Sequence, residues 1–229
     1  MKRLVTIIAS LIIVSGAAFA GDFYNGDIQF QFGLGLDSTR IEDMDDDITA
    51  KEGVFGMQSW HLFKPASFIG LGFMGGFNIG VGPTEQLERN VGFGKVKGNT
   101  TGVSISTNFE FGPAIGIYLG DVVRFGANVG YTSGFNYDMP FNYEDKDNHK
   151  YYTSSIYADY IGFTTGIQAK FLPNKKCNPI IGWKLVKGYS NTITNKWMSS
   201  ESRLESEREL SYKYDFTQNI IYAGVGISW

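Results

Sequence analysis

Cysteine, histidine and proline are scarce in this chain, which has one, two and six of them in 229 residues. The lone Cys177 excludes an internal disulfide, and one thiol with two histidines makes a zinc site unexpected. Beyond residue 20, no apolar run approaches the roughly 20 residues that a membrane-spanning helix needs. No motif for a cofactor is present either, so we expect neither a metal nor a cofactor.

Positive charge is also in the minority. The chain holds 20 Lys and Arg against 23 Asp and Glu, and Lys2 and Arg3 belong to the leader described next. The remainder has 18 basic and 23 acidic residues, a formal charge of −5, with no basic stripe. A protein that binds a phosphate backbone needs the opposite balance, so nucleic-acid binding is not expected.

The first twenty residues have the pattern of a secretory signal peptide. Lys2 and Arg3 precede an apolar stretch over residues 4–14, and the small residues Ala18 and Ala20 fit a peptidase site. We expect residues 1–20 to be removed before Gly21, leaving one domain over 21–229. Gly21, and not a cysteine, stands directly after the cleavage site, so lipid attachment at the new N-terminus is excluded. An exported chain without spanning helices is either a soluble β-protein or an outer-membrane barrel.

Alternation with period two dominates the exported part, which is typical of strands with two different faces. Seven runs place aliphatic and aromatic residues on one face and Gly, Gln, Asn or Ser on the other; they begin near residues 28, 69, 103, 123, 161, 181 and 221. An eighth run, 53–63, is ambiguous because Trp60 and Leu62 lie opposite Phe63. We expect Gln58 to point inward there, and a bulge would reconcile the two halves.

The connections between these runs alternate in length. Short links are expected at 64–67, 119–121 and 173–178, and long polar loops at 37–52, 83–100, 134–149 and 191–213. Outer-membrane barrels have this asymmetry, with short periplasmic turns and long external loops. The chain is therefore predicted to be all-β, an eight-stranded antiparallel up-and-down transmembrane β-barrel.

The chemistry of the two faces distinguishes a membrane barrel from a soluble one. Lys187 is the single charge on the apolar face, whereas a soluble barrel would need Lys and Glu on its outer surface. The apolar face is therefore assigned to lipid, which places the protein in the cell outer membrane. The narrow lumen is expected to hold only small and polar side chains. Its predicted charges are Glu110, Arg124, Lys170 and Lys184.

The end of the chain resembles the C-terminal assembly signal of outer-membrane proteins. Tyr222, Gly224, Ile227 and Trp229 stand at the spacings of that signal, with Trp in place of the usual terminal Phe. The resemblance implies recognition by the outer-membrane assembly machinery. In architecture the mature chain is similar to the small eight-stranded barrels of the OmpA, OmpX and OmpW type.

The function that the sequence favours is a structural or surface-interaction role for a barrel with a filled lumen. Its partners would be outer-membrane lipid and, through the external loops, host or extracellular ligands. The third loop contains aromatic residues of the types found at contact surfaces: Phe135, Tyr137, Phe141 and Tyr143. The alternative is a narrow channel for small or hydrophobic solutes, with Lys170 and Lys184 lining the pore.

Three other features of the loops give weaker signals. Asp43, Asp45, Asp46 and Asp47 suggest a calcium loop, but Ile48 replaces its turn glycine and no glutamate closes it. His149, with Asp147, Ser154 and Ser155 near it in sequence, lacks the motif of the lipid A-modifying barrel enzymes, so an enzyme is not expected. The mixed charges of residues 199–210 predict a short helix.

Overall fold

The structure is a computed structural model that describes residues 24–42, 47–90, 95–145, 150–199 and 205–229. The predicted signal peptide lies outside these ranges, as do residues 43–46, Asp147 and His149. Within them, no helix has the length and apolar character needed to cross a membrane.

The described residues form ten β-strands. They are β1 (Tyr24–Ile41), β2 (Ile48–Ala66), β3 (Ile69–Asn90), β4 (Lys95–Leu119), β5 (Val123–Asp145), β6 (Lys150–Phe171), β7 (Cys177–Ser190), β8 (Ile193–Ser199), β9 (Glu205–Leu210) and β10 (Tyr214–Ser228).

Eight of these strands close into a barrel, as predicted. Each strand from β1 to β6 pairs antiparallel with the next one in the chain, and β10 pairs with both β7 and β1. In the closing pair, Ile28 lies opposite Ile227 and Phe30 opposite Val225. The remaining strands, β8 and β9, form a hairpin that extends the sheet from the external part of β6. An even number of antiparallel strands brings both ends of the barrel sequence to the same side of the membrane. That side carries the short turns and is therefore the periplasmic one.

The prediction of four long loops is wrong, because the strands continue through most of those residues. β1 runs to Ile41 and β2 begins at Ile48, while β3 and β4 pair as far as Asn90 and Lys95. β5 and β6 pair as far as Asp145 and Lys150. Outside the membrane neither strand face meets lipid, so the hydrophobic alternation ends although the backbone ladder continues. The sequence pattern therefore marks where the bilayer ends and not where the strands end.

The fourth link also differs from its prediction. Residues 205–210 were expected to be helical and instead form β9, paired with β8. β8 in turn pairs with β6. Charge spacing is a weak local preference, and hydrogen bonding to an existing sheet edge overrides it.

The outer surface of the barrel is a broad apolar band. Phe32, Leu34 and Ile221 are 65%, 72% and 69% exposed, and similar residues from every barrel strand surround them. Such a surface would aggregate in water and is what a bilayer requires. Charged residues appear at its external edge, where Arg40 and Lys187 border a shallow cleft of about 210 Å³ with Tyr189 and Thr217.

The inner surface holds several large side chains, which corrects the expectation of small and polar ones only. Trp60, Tyr160, Phe216 and Tyr222 are buried in the lumen. Glycines on neighbouring strands leave space for two of these rings, because they have no side chain of their own. A Cβ atom on Gly188 would overlap the Tyr160 ring, and one on Gly182 would lie 2.5 Å from the Tyr222 ring.

The ambiguous second strand is resolved by the side chains that it buries. Gln58, Trp60 and Leu62 all point into the lumen, as expected for Gln58. The register between β2 and β3 shifts between Phe63 and Ala66, next to the turn. This irregularity lies at the periplasmic end of the strand, beyond the residues that made the pattern ambiguous.

Apolar layers close the lumen near both ends. At the periplasmic end, Trp60, Leu62 and Met74 pack together with almost no exposed surface, and Ala114 joins them. At the external end, inward-facing apolar side chains form a second buried layer, which consists of Ile41, Ile48, Ile156, Ile193 and Tyr214. Polar side chains fill the space between these layers together with the buried rings and aliphatic residues such as Val186 and Ile220.

We predict that Gly188→Ala destabilises the folded barrel by about 1–3 kcal/mol, because the added methyl group overpacks against the Tyr160 ring. Gly53→Ala is the matched control, since its Cβ atom has no neighbour nearer than 3.9 Å. Urea unfolding in detergent, followed by tryptophan fluorescence, would measure both variants. Equal stabilities would show that the ring does not depend on the glycine.

Candidate functional site

All four charges predicted for the lumen lie inside the barrel. Glu110 on β4, Arg124 on β5, Lys170 on β6 and Lys184 on β7 are each at most 4% exposed. Inward-facing positions recur every second residue along each strand, which is why these side chains share one compartment. The structure divides them into two groups and adds acidic residues that were not predicted.

The middle of the lumen contains an ion pair between β4 and β7. Lys184 Nζ lies 2.5 Å from Glu110 Oε1. Gln58 donates to the same oxygen at 2.6 Å and Asn78 at 3.3 Å, while Thr164 donates to Oε2 at 3.2 Å. Because both carboxylate oxygens have donors, this buried pair meets the condition under which an ion pair is tolerated away from water.

The periplasmic half of the lumen contains a second ionic group centred on Asp27. Its Oδ2 accepts hydrogen bonds from Arg124 Nη1 at 2.8 Å and from Lys170 Nζ at 2.7 Å. Gln29 donates to Oδ1 at 2.7 Å, and Lys170 also contacts Ser228 Oγ at 2.7 Å. Two cations share one carboxylate, so this group carries an excess positive charge.

Sequence reasoning misses Asp27 because the first alternating run is recognisable only from Ile28 onwards. The signal was available, since Asp27 stands two residues before Gln29 and continues the polar face of β1. The predicted lumen charges Glu110 and Arg124 do not pair with each other. The structure pairs each of them with another residue, Lys184 and Asp27 respectively.

The external half of the lumen is acidic. Asp37, Glu52 and Asp138 are buried there on β1, β2 and β5. Gln218 Nε2 donates to Glu52 Oε2 at 2.9 Å and to Asp37 Oδ2 at 3.3 Å, and Ser106 donates to Glu52 Oε2 at 2.5 Å. Sequence reasoning missed these carboxylates because it placed Asp37, Glu52 and Asp138 in loops.

The position of Asp37 changes its acidity. It follows Leu36, the last residue of β1 on the apolar band, and so lies just outside the membrane-spanning part of the strand. Burial raises the pKa of the Asp37 carboxyl well above its usual range, and the neighbouring Glu52 carboxylate raises that pKa further. The lumen is thus positive near the periplasm, balanced in the middle and acidic outside. Among the described residues, no three His, Cys, Asp or Glu are placed to hold a metal ion.

The residues that resemble an assembly signal divide between the two faces of β10. Tyr222 points inward and donates from its hydroxyl to Gln168 Oε1 at 3.3 Å, and Gly224 lies against the backbone of β1. Ile227 is exposed on the apolar band. Trp229 lies at the periplasmic rim, where its backbone N–H donates to the Gly26 carbonyl at 3.1 Å.

His61 lies beside this terminus on the outward side of β2. Its Nε2 contacts Ser59 Oγ at 2.8 Å, and its Nδ1 contacts the Tyr24 hydroxyl. The imidazole stacks on Phe73 with ring centroids 4.9 Å apart and meets the edge of Trp229 at 6.3 Å. The cluster joins β1, β2, β3 and the chain terminus at the rim. His149, the other histidine considered for chemistry, lies outside the described residues.

Comparisons with known proteins give matches in structure only. No family model and no curated protein matches the chain. Among solved structures, the outer membrane protease OmpT of Escherichia coli is 10% identical, over 93% of this chain and 98% of that chain, with a TM-score of 0.45. A major outer membrane protein of Thermus thermophilus is 13% identical, over 87% and 99%, with a TM-score of 0.45. The attachment invasion locus protein Ail of Yersinia pestis is 13% identical, over 89% and 99%, with a TM-score of 0.37.

The geometry of the chain itself defines its class. Its eight-stranded sheet is closed, its exterior band is large and apolar, and its interior is polar. A closed barrel satisfies every backbone group without water, which is the condition for crossing lipid with strands. The chain is therefore an outer-membrane β-barrel.

We predict that Asp27→Asn lowers the free energy of unfolding by about 3–5 kcal/mol, because it leaves Arg124 and Lys170 buried without a counter-charge. Adding Lys170→Met to that variant should restore part of the loss. Asp47→Asn, which removes the exposed partner of Arg40, is the control and should change stability little. Denaturant unfolding in micelles measures all three; equal losses for Asp27→Asn and Asp47→Asn would contradict this account.

Proposed function

We propose that this barrel conducts no solute and acts as a structural and surface-interaction protein of the outer membrane. The observation that carries the proposal is the closure of the lumen by an apolar layer near each end. Trp60, Leu62 and Met74 at the periplasmic end have no exposed surface. An aqueous path would have to cross this layer, the central ion pairs and the external apolar layer in turn.

The charges of the lumen also favour a packed interior over a pore. In a cation-lined channel, Lys170 and Lys184 would face water. Each instead contacts a carboxylate within hydrogen-bonding distance and is buried. Arg124 lies 5.3 Å from the centroid of the Trp60 ring, which places the periplasmic layer directly against the ionic group. The narrow-channel alternative would need these contacts to break.

The external hairpins are the parts of the chain best suited to contact other molecules. β3–β4 and β5–β6 extend well beyond the apolar band, and the β8–β9 hairpin widens the sheet next to β6. Phe135 and Tyr137 on β5 pack with Tyr157 of β6, with ring centroids 5.8 and 6.5 Å apart from it. This outward aromatic patch supports a role in binding extracellular ligands, since aromatic side chains are enriched at contact surfaces.

A catalytic role is not part of the proposal. His61 is the one histidine whose side chain is described, and the Phe73 and Trp229 rings cover it. Its partners are Ser59 and Tyr24, without a carboxylate at hydrogen-bonding distance among the described contacts. The arrangement fits an interfacial hydrogen bond that holds the rim together.

We predict no steady conductance for the wild-type barrel in planar lipid bilayers. The variant Trp60→Gly with Leu62→Gly should also stay silent, because the central ion pairs and the external apolar layer still close the lumen after the two largest side chains of the periplasmic layer are removed. Phe32→Gly, which removes an aromatic ring from the lipid face, is the control for leakage caused by a disturbed barrel wall. Steady wild-type currents whose ion selectivity changes when Lys170 and Lys184 are neutralised would establish the channel instead.

We predict weaker adhesion to host cells or matrix when Phe135, Tyr137 and Tyr157 are all replaced by serine, at equal surface levels of the protein. Tyr189→Ser on the neighbouring strand β7, outside this aromatic patch, is the control. Unchanged adhesion by cells lacking the whole protein would remove the surface-interaction role.

The terminal residues support a second proposal, recognition by the outer-membrane assembly machinery. Ile227 and Trp229 stay accessible on the outside of the finished barrel, and Trp229 fits closely over Gly26. Deleting Trp229 should reduce the amount of barrel inserted in the membrane, measured by heat-modifiable migration on a gel. The deleted protein, refolded into detergent, should migrate normally if recognition and not stability is lost. Normal membrane levels would contradict this role.

A further inference from the structure

Asp37 and Glu52 have no basic partner among the described side chains, unlike the carboxylates in the rest of the lumen. Among the described side chains, the titratable groups that face Asp37 are Glu52, Asp138, Tyr160 and Tyr214, none of which is basic. The other strands contribute hydroxyl, amide or apolar side chains at this level, among them Ser104, Ser106, Thr84, Asn136, Val186 and Gln218. The nearest lumen cation in the central group is Lys184, which is engaged by Glu110.

The two basic side chains described on β1 and β2 near this level point away from the lumen. Arg40 is on the outward face of β1 and pairs with Asp47, and Lys51 is exposed on the outward face of β2. Strand geometry fixes this division, because Lys51 and Glu52 are consecutive and must point to opposite faces. The two buried carboxylates therefore cannot be neutralised by their neighbours in sequence.

A count of hydrogen-bond donors identifies what is missing. Gln218 Nε2 lies 3.3 Å from Asp37 Oδ2 and 2.9 Å from Glu52 Oε2, so the two carboxylates are neighbours and together have four oxygens. Gln218 and Ser106 donate to Asp37 Oδ2 and Glu52 Oε2. Asp37 Oδ1 and Glu52 Oε1 are buried and receive no donor from a described side chain. Two adjacent ionised carboxylates without donors are strongly unfavourable in such a place.

We propose that Asp37 and Glu52 share one proton, so that the pair is a carboxylic acid hydrogen-bonded to a carboxylate. The pair then carries one negative charge instead of two, and the proton supplies the donor that both free oxygens lack. The proton links Asp37 of β1 to Glu52 of β2. Gln218 of β10 donates to both residues, so the three strands are joined at the external end of the closing seam.

The shared proton makes the external half of the lumen sensitive to alkaline pH. A carboxyl group that keeps its proton in the folded barrel has a higher pKa there than in the unfolded chain, where it is about 4. Its contribution is fully present below that unfolded value and is lost as the pH rises through the folded value. At a pH above the folded-state pKa, the two carboxylates are both negative and repel each other beneath Ile41 and Tyr214. The external apolar layer then loosens.

Thermal unfolding of the barrel in detergent micelles, from about pH 5 to about pH 9, tests this proposal. The wild-type Tm should fall towards alkaline pH. Glu52→Gln and Asp37→Asn should each flatten that dependence and raise the Tm at the alkaline end, because an amide supplies the missing donor without a titratable proton. Glu110→Gln is the matched control: it also removes a buried carboxylate, but one paired with Lys184, and should lower the Tm throughout.

Infrared spectroscopy gives a second measurement that does not depend on stability. The wild-type barrel at neutral pH should show the carbonyl stretch of a protonated carboxylic acid, and Asp37→Asn and Glu52→Gln should lose it. Absence of that band in the wild type, or a wild-type pH profile identical to that of both variants, would overturn the proposal. A Tm that falls with EDTA and recovers with calcium would also overturn it, since the pair would then hold a metal cation.

Discussion

The hydrogen-bonded seam between β1 and β10 is the contact on which the rest of the barrel depends. Lipid offers no partner for an unpaired N–H or C=O group, so an open edge would not be tolerated in the membrane. The two strands pair continuously from Asp27 and Ser228 to Ile41 and Tyr214. Closure also encloses the interior, so the side chains inside must satisfy one another's charges and hydrogen bonds. The ionic groups of the lumen are a consequence of that enclosure.

The lumen is organised as a series of layers along the barrel axis. The apolar layer around Trp60 is followed by the group around Asp27, the Glu110–Lys184 pair, the acidic residues and the external apolar layer. Each ionic group joins strands that are far apart in sequence; Lys170 and Asp27, for example, are separated by 143 positions. The interior therefore braces the barrel across its width, while the backbone ladder joins only adjacent strands. This bracing is the physical basis for assigning the lumen a structural role.

Period-two alternation made the membrane-spanning fold predictable, because lipid imposes a strict chemistry on one face of each strand. For the same reason Glu110, Arg124, Lys170 and Lys184 could be assigned to the lumen from the sequence. The pairing of those charges could not be predicted, since it depends on the register and tilt of strands that are not neighbours. Asp37 and Glu52 were missed because alternation disappears outside the bilayer although the strands continue. The buried rings were missed because the space for Tyr160 is set by a glycine on another strand, Gly188.

The fit between glycines and rings has a consequence for how such a barrel can change over evolutionary time. Tyr160 occupies the volume that a side chain at Gly188 would fill, and Tyr222 does the same at Gly182. A larger side chain at either position of a pair costs stability unless the other position changes with it. The wall of the barrel therefore evolves in coupled pairs across adjacent strands, whereas residues on the lipid face can be exchanged one at a time.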